Sequence, residues 1–280
     1  MWAKILRLQD FKADCRADLR ELSKREKMTA LITGASSGLG LEFAKICAED
    51  GYDLIITARD LAKLNEIKSE LEAKFGVKIL ILGADLAELK GTERICEFVC
   101  GNDLKIDILI NNAGFGDHGQ FYECDINKQF QMINVNITSL VGLTHYFLNH
   151  MLNNGGGKIL NIASASSLTP GPKMSVYYAS KAFVRNFSVA IAEELKEKNV
   201  SVTAFCPGPV ATNFGERANV KNAKLFARSD DANAVARRAY KAMIDRKTLV
   251  YDGKFMGLAN LLTRLVPTAF STKVTGYLNG

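Results

Sequence analysis

From Met28 onward the chain alternates short apolar runs with stretches of helical spacing, and no other feature constrains the fold as strongly. The runs are Thr29 to Thr33, Leu54 to Thr57, Val77 to Leu82, Ile106 to Ile110, Lys158 to Ala163, Val200 to Phe205 and Lys247 to Tyr251. Between the first of them lie Leu41, Phe43, Ala44, Ile46 and Cys47, then Leu61, Leu64, Ile67 and Leu71, both at helical intervals; a further helix is expected over Thr92 to Cys100. Strands that read as apolar throughout, with no polar alternation, are buried on both faces. Strands joined by helices pair in parallel through right-handed crossovers. The expected fold is therefore α/β: a doubly wound parallel sheet of about seven strands with helices on both faces.

No Pro- or Ser-rich linker and no internal repeat interrupts residues 28–252, so they are read as one domain. Hydrophobic residues make up 48% of the 280, enough for a sizeable core and too many for a chain dominated by disorder. No uninterrupted run of 18 apolar residues suggests a spanning helix. The net charge of +6 suits an anionic ligand without pointing to nucleic acid. Cys15, Cys47, Cys96, Cys100, Cys124 and Cys206 form no CxxC pair and no zinc-spaced cluster. They read as reduced thiols of a cytoplasmic protein, with no metal site.

Both ends differ from this body. Residues 1–27 set Trp2, Ile5, Leu6, Leu8, Phe11, Leu19 and Leu22 among Lys4, Arg7, Lys12, Arg16 and Arg20, the pattern of a basic, partly amphipathic helical extension. It is not a secretory signal. A solvated or self-packed extension is preferred to membrane-surface docking, and Met28 is an alternative start. Residues 253–280 carry an apolar stripe, Leu258, Leu261, Leu262 and Leu265, which suits a substrate lid, an interface or a membrane surface; packing on protein is preferred.

The first run leads into Thr33-Gly34-Ala35-Ser36-Ser37-Gly38-Leu39-Gly40. A glycine turn between a strand and a helix presents backbone amides and the positive end of a helix dipole to an anion, and lets a pyrophosphate approach the backbone closely. The second run ends in Ala58-Arg59-Asp60. Dinucleotide folds place a carboxylate here for a ribose 2′-hydroxyl, or a cation for a 2′-phosphate. Ala58 leaves the carboxylate position empty and Arg59 offers a guanidinium, while Asp60 reads as the N-cap of the next helix. This favours NADP (NADPH) over NAD.

Tyr177 and Lys181 are four residues apart in a helical stretch, hence on one face, with Tyr178 turned about 100° away. A neighbouring ammonium stabilises a phenolate, so Lys181 is expected to lower the Tyr177 pKa toward useful acid/base chemistry. Ser164 ends the fifth run, thirteen positions before Tyr177.

Gly-x-x-x-Gly-x-Gly at Gly34, Gly38 and Gly40, Asn111-Asn112-Ala113-Gly114, Ser164, Tyr177-x-x-x-Lys181 and the Pro-Gly motif in Cys206-Pro207-Gly208-Pro209-Val210-Ala211-Thr212 resemble, in order, the motifs of the short-chain dehydrogenase/reductase family, whose sheet is of the Rossmann type. The resemblance covers residues 28–252. It implies an oxidoreductase acting on CH-OH donors with NAD(P), interconverting a carbonyl and a secondary alcohol by hydride transfer. It gives Tyr177 the acid/base role, Ser164 the orientation of the carbonyl oxygen, and Lys181 the nicotinamide ribose. Asn136, with Asn134 as a competitor, would hold a water linking Lys181 to solvent. The resemblance places Gly34, Ser36, Ser37, Gly38, Leu39 and Gly40 at the pyrophosphate, and Asp85 and Leu86 beside the adenine, although Asp85 also reads as a helix cap. Asn112, Ala113 and Gly114 would lie along the cofactor, and Pro207, Gly208, Val210 and Thr212 at the nicotinamide.

Substrate contacts are expected from residues 165–176, 213–228 and the C-terminal segment, whose apolar content points to a hydrophobic ketone, a steroid-like or an acyl-derived molecule. His118, His145 and His150 match no catalytic motif. The resemblance also suggests a homodimer or homotetramer through helices near residues 124–152 and 175–198. Two rival readings are a dinucleotide-sensing binding protein without turnover and a nucleotide-sugar epimerase or dehydratase; the short C-terminal region speaks against the latter.

Overall fold

The computed structural model describes residues 27–212, 214–218, 229–253 and 256–280. The first apolar run forms β1 (Thr29–Thr33), and the glycine turn leads into α1 (Gly38–Glu49). Then follow β2 (Asp53–Ala58), α2 (Leu61–Phe75), β3 (Ile79–Gly83), α3 (Leu89–Gly101) and β4 (Ile108–Asn111). The second half runs α4 (Ile126–Ile133), a π-helical turn (Asn134–Thr138), α5 (Ser139–Asn153), β5 (Gly157–Ile162), α6 (Ser175–Glu194) and β6 (Val200–Cys206). It continues with the one-turn α7 (Phe214–Arg217), α8 (Ala232–Ile244), β7 (Leu249–Tyr251), α9 (Met256–Leu265) and α10 (Thr268–Leu278).

The seven strands form one sheet in the order β3-β2-β1-β4-β5-β6-β7, every pair parallel. Side chains alternate across it, as the period of a strand requires. Along β1, Ala30 and Ile32 pack with Phe43, Leu64, Leu71, Val235 and Met243 on one face. Leu31 points to the other face, among Ile95, Val99, Leu143, Phe147 and Met151. Each such Leu or Ile withdrawn from water stabilises the fold by about 1.5–3 kcal/mol, which explains why these runs carry no polar alternation. From β1 the chain winds outward to β3, and from β4 outward to β7. The switch of direction between β1 and β4 opens a crevice beyond the strand ends, where such sheets bind ligands.

The expected elements are present, with shifted limits. The third run starts two residues late because the Lys78 N–H is taken by Asp53 Oδ1 at 2.8 Å. The fourth loses Ile106, whose N–H goes to His150 Nε2 at 3.2 Å. Burial holds His150 below its ordinary pKa and so in the neutral form that can accept. Asp60 caps α2 as expected, accepting from Lys63 N at 2.9 Å. Asp85 does not cap α3: Glu88 holds that position, and the Asp85 carboxylate turns back to the Ala87 N–H at 2.9 Å.

A buried polar string crosses β4 and β5. Asn111 Nδ2 donates to Thr144 Oγ1 (3.0 Å) and to Asn161 Oδ1 (2.9 Å), its register partner, and Asn161 Nδ2 donates to Ser188 Oγ (2.9 Å). Asparagine is depleted in strands, and a buried amide must be paired to be tolerated there.

In α9, Leu261, Leu262 and Leu265 are 54%, 50% and 73% exposed, while Asn260 on the same helix accepts from the Tyr251 hydroxyl at 3.2 Å. In α10, Ser271 and Thr275, with Asn279 just beyond, form a buried i, i+4, i+8 face. The basic extension read at residues 1–27 lies, but for Lys27, outside the described residues. Among the described residues no helix is long and apolar enough to cross a membrane.

Candidate active site

The sequence-read positions all lie just beyond the strand ends, apart from Asn136 in the π-helical turn and Tyr177 and Lys181 in α6. The turn after β1 is shaped by backbone sterics. Gly34 has φ +68° and Gly38 φ +56°, values that cost a residue with a Cβ about 1 kcal/mol or more. A methyl group on Gly34 would also meet Ala113 Cα at 2.9 Å, and one on Gly38 would meet Thr212 Cγ2 at 3.2 Å. The turn is thus pressed between Asn112-Ala113 after β4 and Thr212 after β6. Gly40 packs directly on the Gly34 carbonyl. Asn112 Nδ2 holds Thr33 O at 2.9 Å, and Thr33 Oγ1 accepts from Asn112 N and Ala113 N at 3.1 and 3.0 Å.

Ser37 is the N-cap of α1, yet its side chain makes no capping bond, and the first turn carries no acid. Ser36, Ser37, Gly38 and Leu39 therefore surround a helix start able to take an anion. A pyrophosphate fits the chemistry of that helix start. Arg59 is exposed just past β2 and makes no ion pair among the described residues. Ala84 N donates to Ala58 O at 3.1 Å, which holds exposed Asp85 and buried Leu86 beside the Arg59 turn.

The loop after β6 is braced at both ends. Pro207 O accepts from Ala165 N (2.8 Å), and Asp230 bridges Pro209 O and Ala211 N (2.9 and 2.8 Å), with Val210 between. Asp230 is tied in turn to Arg238, whose fork also grips buried Asp252 at 2.6 and 2.8 Å. Among the nicotinamide candidates, Gly208 has open space around its Cα, and Thr212 Oγ1 accepts from Phe214 N at 3.3 Å.

The reacting constellation is brought together. Ser164 caps the short turn Ala165–Leu168, with its Oγ accepting from Ser166 N at 3.1 Å. That leaves the hydroxyl proton of Ser164 free for another acceptor, and Ser164 is near enough to the Tyr177 phenol to pull its pKa down. Lys181 is buried, with Nζ donating to Ile162 O at 2.8 Å and lying 6.0 Å from the Tyr177 ring centre.

Asn136, not Asn134, joins this group. Its Oδ1 accepts from Phe115 N (3.1 Å), and its Nδ2 donates to Phe115 O and Ser180 Oγ (both 3.0 Å). Ser180 Oγ donates to Tyr177 O at 2.7 Å. Asn134 faces away, donating to Ala87 O. A Cβ on Gly114 would lie 3.1 Å from Asn136 Oδ1 and 3.3 Å from Lys181 Nζ, so this glycine leaves the space between them open. π-helical turns often occur at functional sites, and this one carries Asn136.

The electrostatics correct one expectation. The Tyr177 phenol is pushed up to about 12 by burial, against the opposing pull of Ser164. The Lys181 ammonium is itself driven down to about 8 by burial, and it is bonded to a carbonyl rather than to the phenol. Burial therefore sets the direction of the Tyr177 shift, and the phenol is protonated at neutral pH.

The substrate side is apolar. Phe214 lies 5.3 Å from the Tyr177 ring, centre to centre, and Met132, Met174, Tyr178 and Ala218 complete the cluster. Of the residues read for this side, Asn213 and 219–228 lie outside the described residues. Four contributors escaped the sequence reading: Asn161 as the partner of Asn111, Ser180 as the support of Asn136, His118 and Asn279. The first had a signal, a polar amide inside an apolar strand.

The family profile described as short chain dehydrogenase matches residues 28–223. The chain belongs to the short-chain dehydrogenase family. It is 34% identical over 191 residues to the very-long-chain 3-oxoacyl-CoA reductase of Homo sapiens, and 38% identical over 193 residues to the human 17-beta-hydroxysteroid dehydrogenase type 3. These alignments cover 67% and 68% of this chain and 61% of each relative's length. Among solved structures, a short-chain dehydrogenase from Sphingobium yanoikuyae in complex with NADPH superposes with TM-score 0.76 at 29% identity, over 86% of this chain and 97% of that one. The bulky-bulky ketone specific alcohol dehydrogenase from Comamonas testosteroni gives TM-score 0.74 at 28% identity, over 87% and 94%.

Proposed function

We propose that the protein is an NADP-dependent oxidoreductase of this family that reduces a bulky, hydrophobic ketone to a secondary alcohol. The observation that carries the reading is the buried Tyr177 phenol, close to Ser164 and one helical turn from buried Lys181. The nicotinamide cofactor, when bound, supplies the hydride that reaches the carbonyl carbon. Gly34, Ser36, Ser37, Gly38, Leu39 and Gly40 would hold its pyrophosphate, with Asn112, Ala113 and Gly114 beneath its ribose. Pro207, Gly208, Val210 and Thr212 would position its ring, and Asp85 and Leu86 would flank its adenine.

Ser164 donates to the carbonyl oxygen and so stabilises the charge that develops there. Tyr177 gives that oxygen its proton. The raised phenol favours the reductive direction, because a donor must be protonated and a base must not. Lys181 holds the ribose and stabilises the phenolate left after transfer. Asn136 positions Phe115 and, through Ser180, the turn that carries Tyr177. The gap above Gly114 has room for a water through which Lys181 and Tyr177 are reprotonated.

Arg59, exposed and without an ion pair among the described residues, supports recognition of a 2′-phosphate, as does NADPH in the S. yanoikuyae structure. The names of the two human relatives, a 3-oxoacyl-CoA reductase and a hydroxysteroid dehydrogenase, support an acyl-derived or steroid-like substrate, in keeping with the apolar wall of Met132, Met174 and Phe214. Exposed Phe130 on α4 and Phe183 on α6 support a homodimer or homotetramer through these helices. The free thiols of Cys47, Cys96, Cys100, Cys124 and Cys206 support a cytoplasmic location.

The test is NADPH oxidation by the purified protein with long-chain 3-oxoacyl thioesters, keto-steroids and bulky aryl ketones. Turnover of at least one class is expected. NADPH binding with no turnover of any would favour the dinucleotide-sensing alternative.

A further inference from the structure

Asn279, just past α10, is 2% exposed and has a partner for every polar group it carries. Asn279 N donates to Thr275 O at 2.9 Å, and Asn279 O accepts from His118 Nε2 at 2.8 Å. In the side chain, Oδ1 accepts from the Tyr178 hydroxyl (3.0 Å) and Nδ2 donates to Pro172 O (2.9 Å). Three separate segments meet on this one residue: the loop after β4 through His118 on its backbone carbonyl, and the substrate-facing segment after β5 through Pro172 and the catalytic helix α6 through Tyr178 on its side-chain amide. One turn earlier, Thr275 Oγ1 meets Thr169 Oγ1 at 2.9 Å, and Gly276 faces the Pro172 ring.

A second feature shows what the amide restrains. Lys173, next to Pro172, has φ +65°, a left-handed conformation that a side chain adopts only when its surroundings compel it. Its carbonyl accepts from Gly119 N at 2.9 Å, and the turn closes with Met174 N on Gly171 O at 3.1 Å. Gly171 lies so close against the Tyr178 ring that no side chain would fit there. The strained turn 171–174 thus delivers Met174, 4% exposed, into the cluster around Tyr177.

We infer that Asn279 is a positioning residue for the substrate side: a latch that holds the strained turn 171–174 against Tyr178 and so sets the wall that a ketone meets beside Tyr177. The inference rests on the reductase reading above. The latch touches none of the residues at the glycine turn, so it acts on the substrate and not on the dinucleotide.

The test uses the full chain with Asn279→Ala, with Asn279→Asp, which keeps the acceptor for Tyr178 but loses the donor to Pro172, and with Tyr178→Phe. Amide exchange at Gly119 and Met174 is expected to accelerate about tenfold or more in both Asn279 variants, while exchange in α1 stays unchanged. With a ketone that the wild type turns over, KM is expected to rise about tenfold in both variants, with NADPH Kd within about twofold of wild type. Lys173→Gly, which removes the strain, is expected to restore part of the KM in the Asn279→Ala background. Unchanged exchange at Gly119 and Met174, or a loss of NADPH affinity in step with KM, overturns the latch. Should Asn279→Ala fail to fold, Tyr178→Phe carries the same readouts with a smaller expected shift. A wild type inert toward every ketone, with exchange altered as expected, sinks the reductase reading and leaves the latch standing.

Discussion

The cofactor side and the substrate side of this site are built in different ways. On the cofactor side the shape comes from close steric approach: Gly34 and Gly38 take left-handed conformations and sit where a methyl group would strike Ala113 or Thr212. On the substrate side it comes from hydrogen bonds between distant residues, such as His118 to Asn279 and Tyr178 to Asn279, 161 and 101 positions apart. A steric contact is hard to vary because its geometry fails outright. A hydrogen-bonded brace can be re-tuned one bond at a time.

The strongest attempt to break that contrast is Gly34→Val. It should cost dinucleotide affinity at least about 100-fold, because the added side chain is both strained at φ +68° and in collision with Ala113. Titration of NADPH fluorescence measures this, and near-normal affinity would remove the steric account of the turn. Next in size, Arg59→Asp should weaken NADPH by about 10–100-fold and leave NADH within a few-fold, since it replaces the cation facing a 2′-phosphate by an anion. Equal losses for the two cofactors would show that Arg59 does not read the phosphate.

The polar string between the two sides sharpens the comparison further. Asn161→Ala leaves Asn111 Nδ2 and Ser188 without their shared partner. It should lower stability by about 1–3 kcal/mol in urea titration, with little change in NADPH affinity. A loss confined to cofactor binding would argue that the string serves the site rather than the sheet.

The smallest effect is with pH. Lys181 titrates near 8 in the folded protein against an ordinary 10.5. Between these values the unfolded chain binds more protons, so this group's contribution to stability rises with pH through that window and is lost as pH falls through about 8. Activity should move the other way, because the ammonium that steadies the Tyr177 phenolate loses its proton above about 8. The stability trend is read as the melting temperature of wild type relative to Lys181→Met across pH 7 to 10.5, and the activity trend as kcat/KM for ketone reduction. Parallel trends would contradict the assignment.

How far the sequence was legible follows the same division. Strand after strand could be read because burial on both faces leaves an uninterrupted apolar run, and the glycine turn and the Tyr177–Lys181 pair could be placed because spacing within one element fixes them, whereas Asn112 and Ser164 were read only through the family resemblance. What escaped depends on relations that no window contains. The limits at Lys78 and Ile106 were set by Asp53 and His150, each far along the chain. The direction of the Tyr177 shift escaped because helical spacing reports the neighbouring ammonium and not the depth of burial. What covers the apolar face of α9 escapes for the same reason, because an amphipathic pattern reveals an apolar face and not its partner. Asn279 had no signal at all: an asparagine near a chain end looks like any other polar tail residue.

The central claim is that the Tyr177 phenol delivers a proton to the substrate oxygen beside a bound nicotinamide, and Tyr177→Phe tests it most directly. NADPH binding is measured first, then a single turnover with a ketone that the wild type reduces, followed by loss of NADPH absorbance. The account predicts an NADPH Kd within about twofold of wild type and a hydride-transfer rate lower by about 100-fold or more. Reduction by Tyr177→Phe at close to the wild-type rate would contradict it.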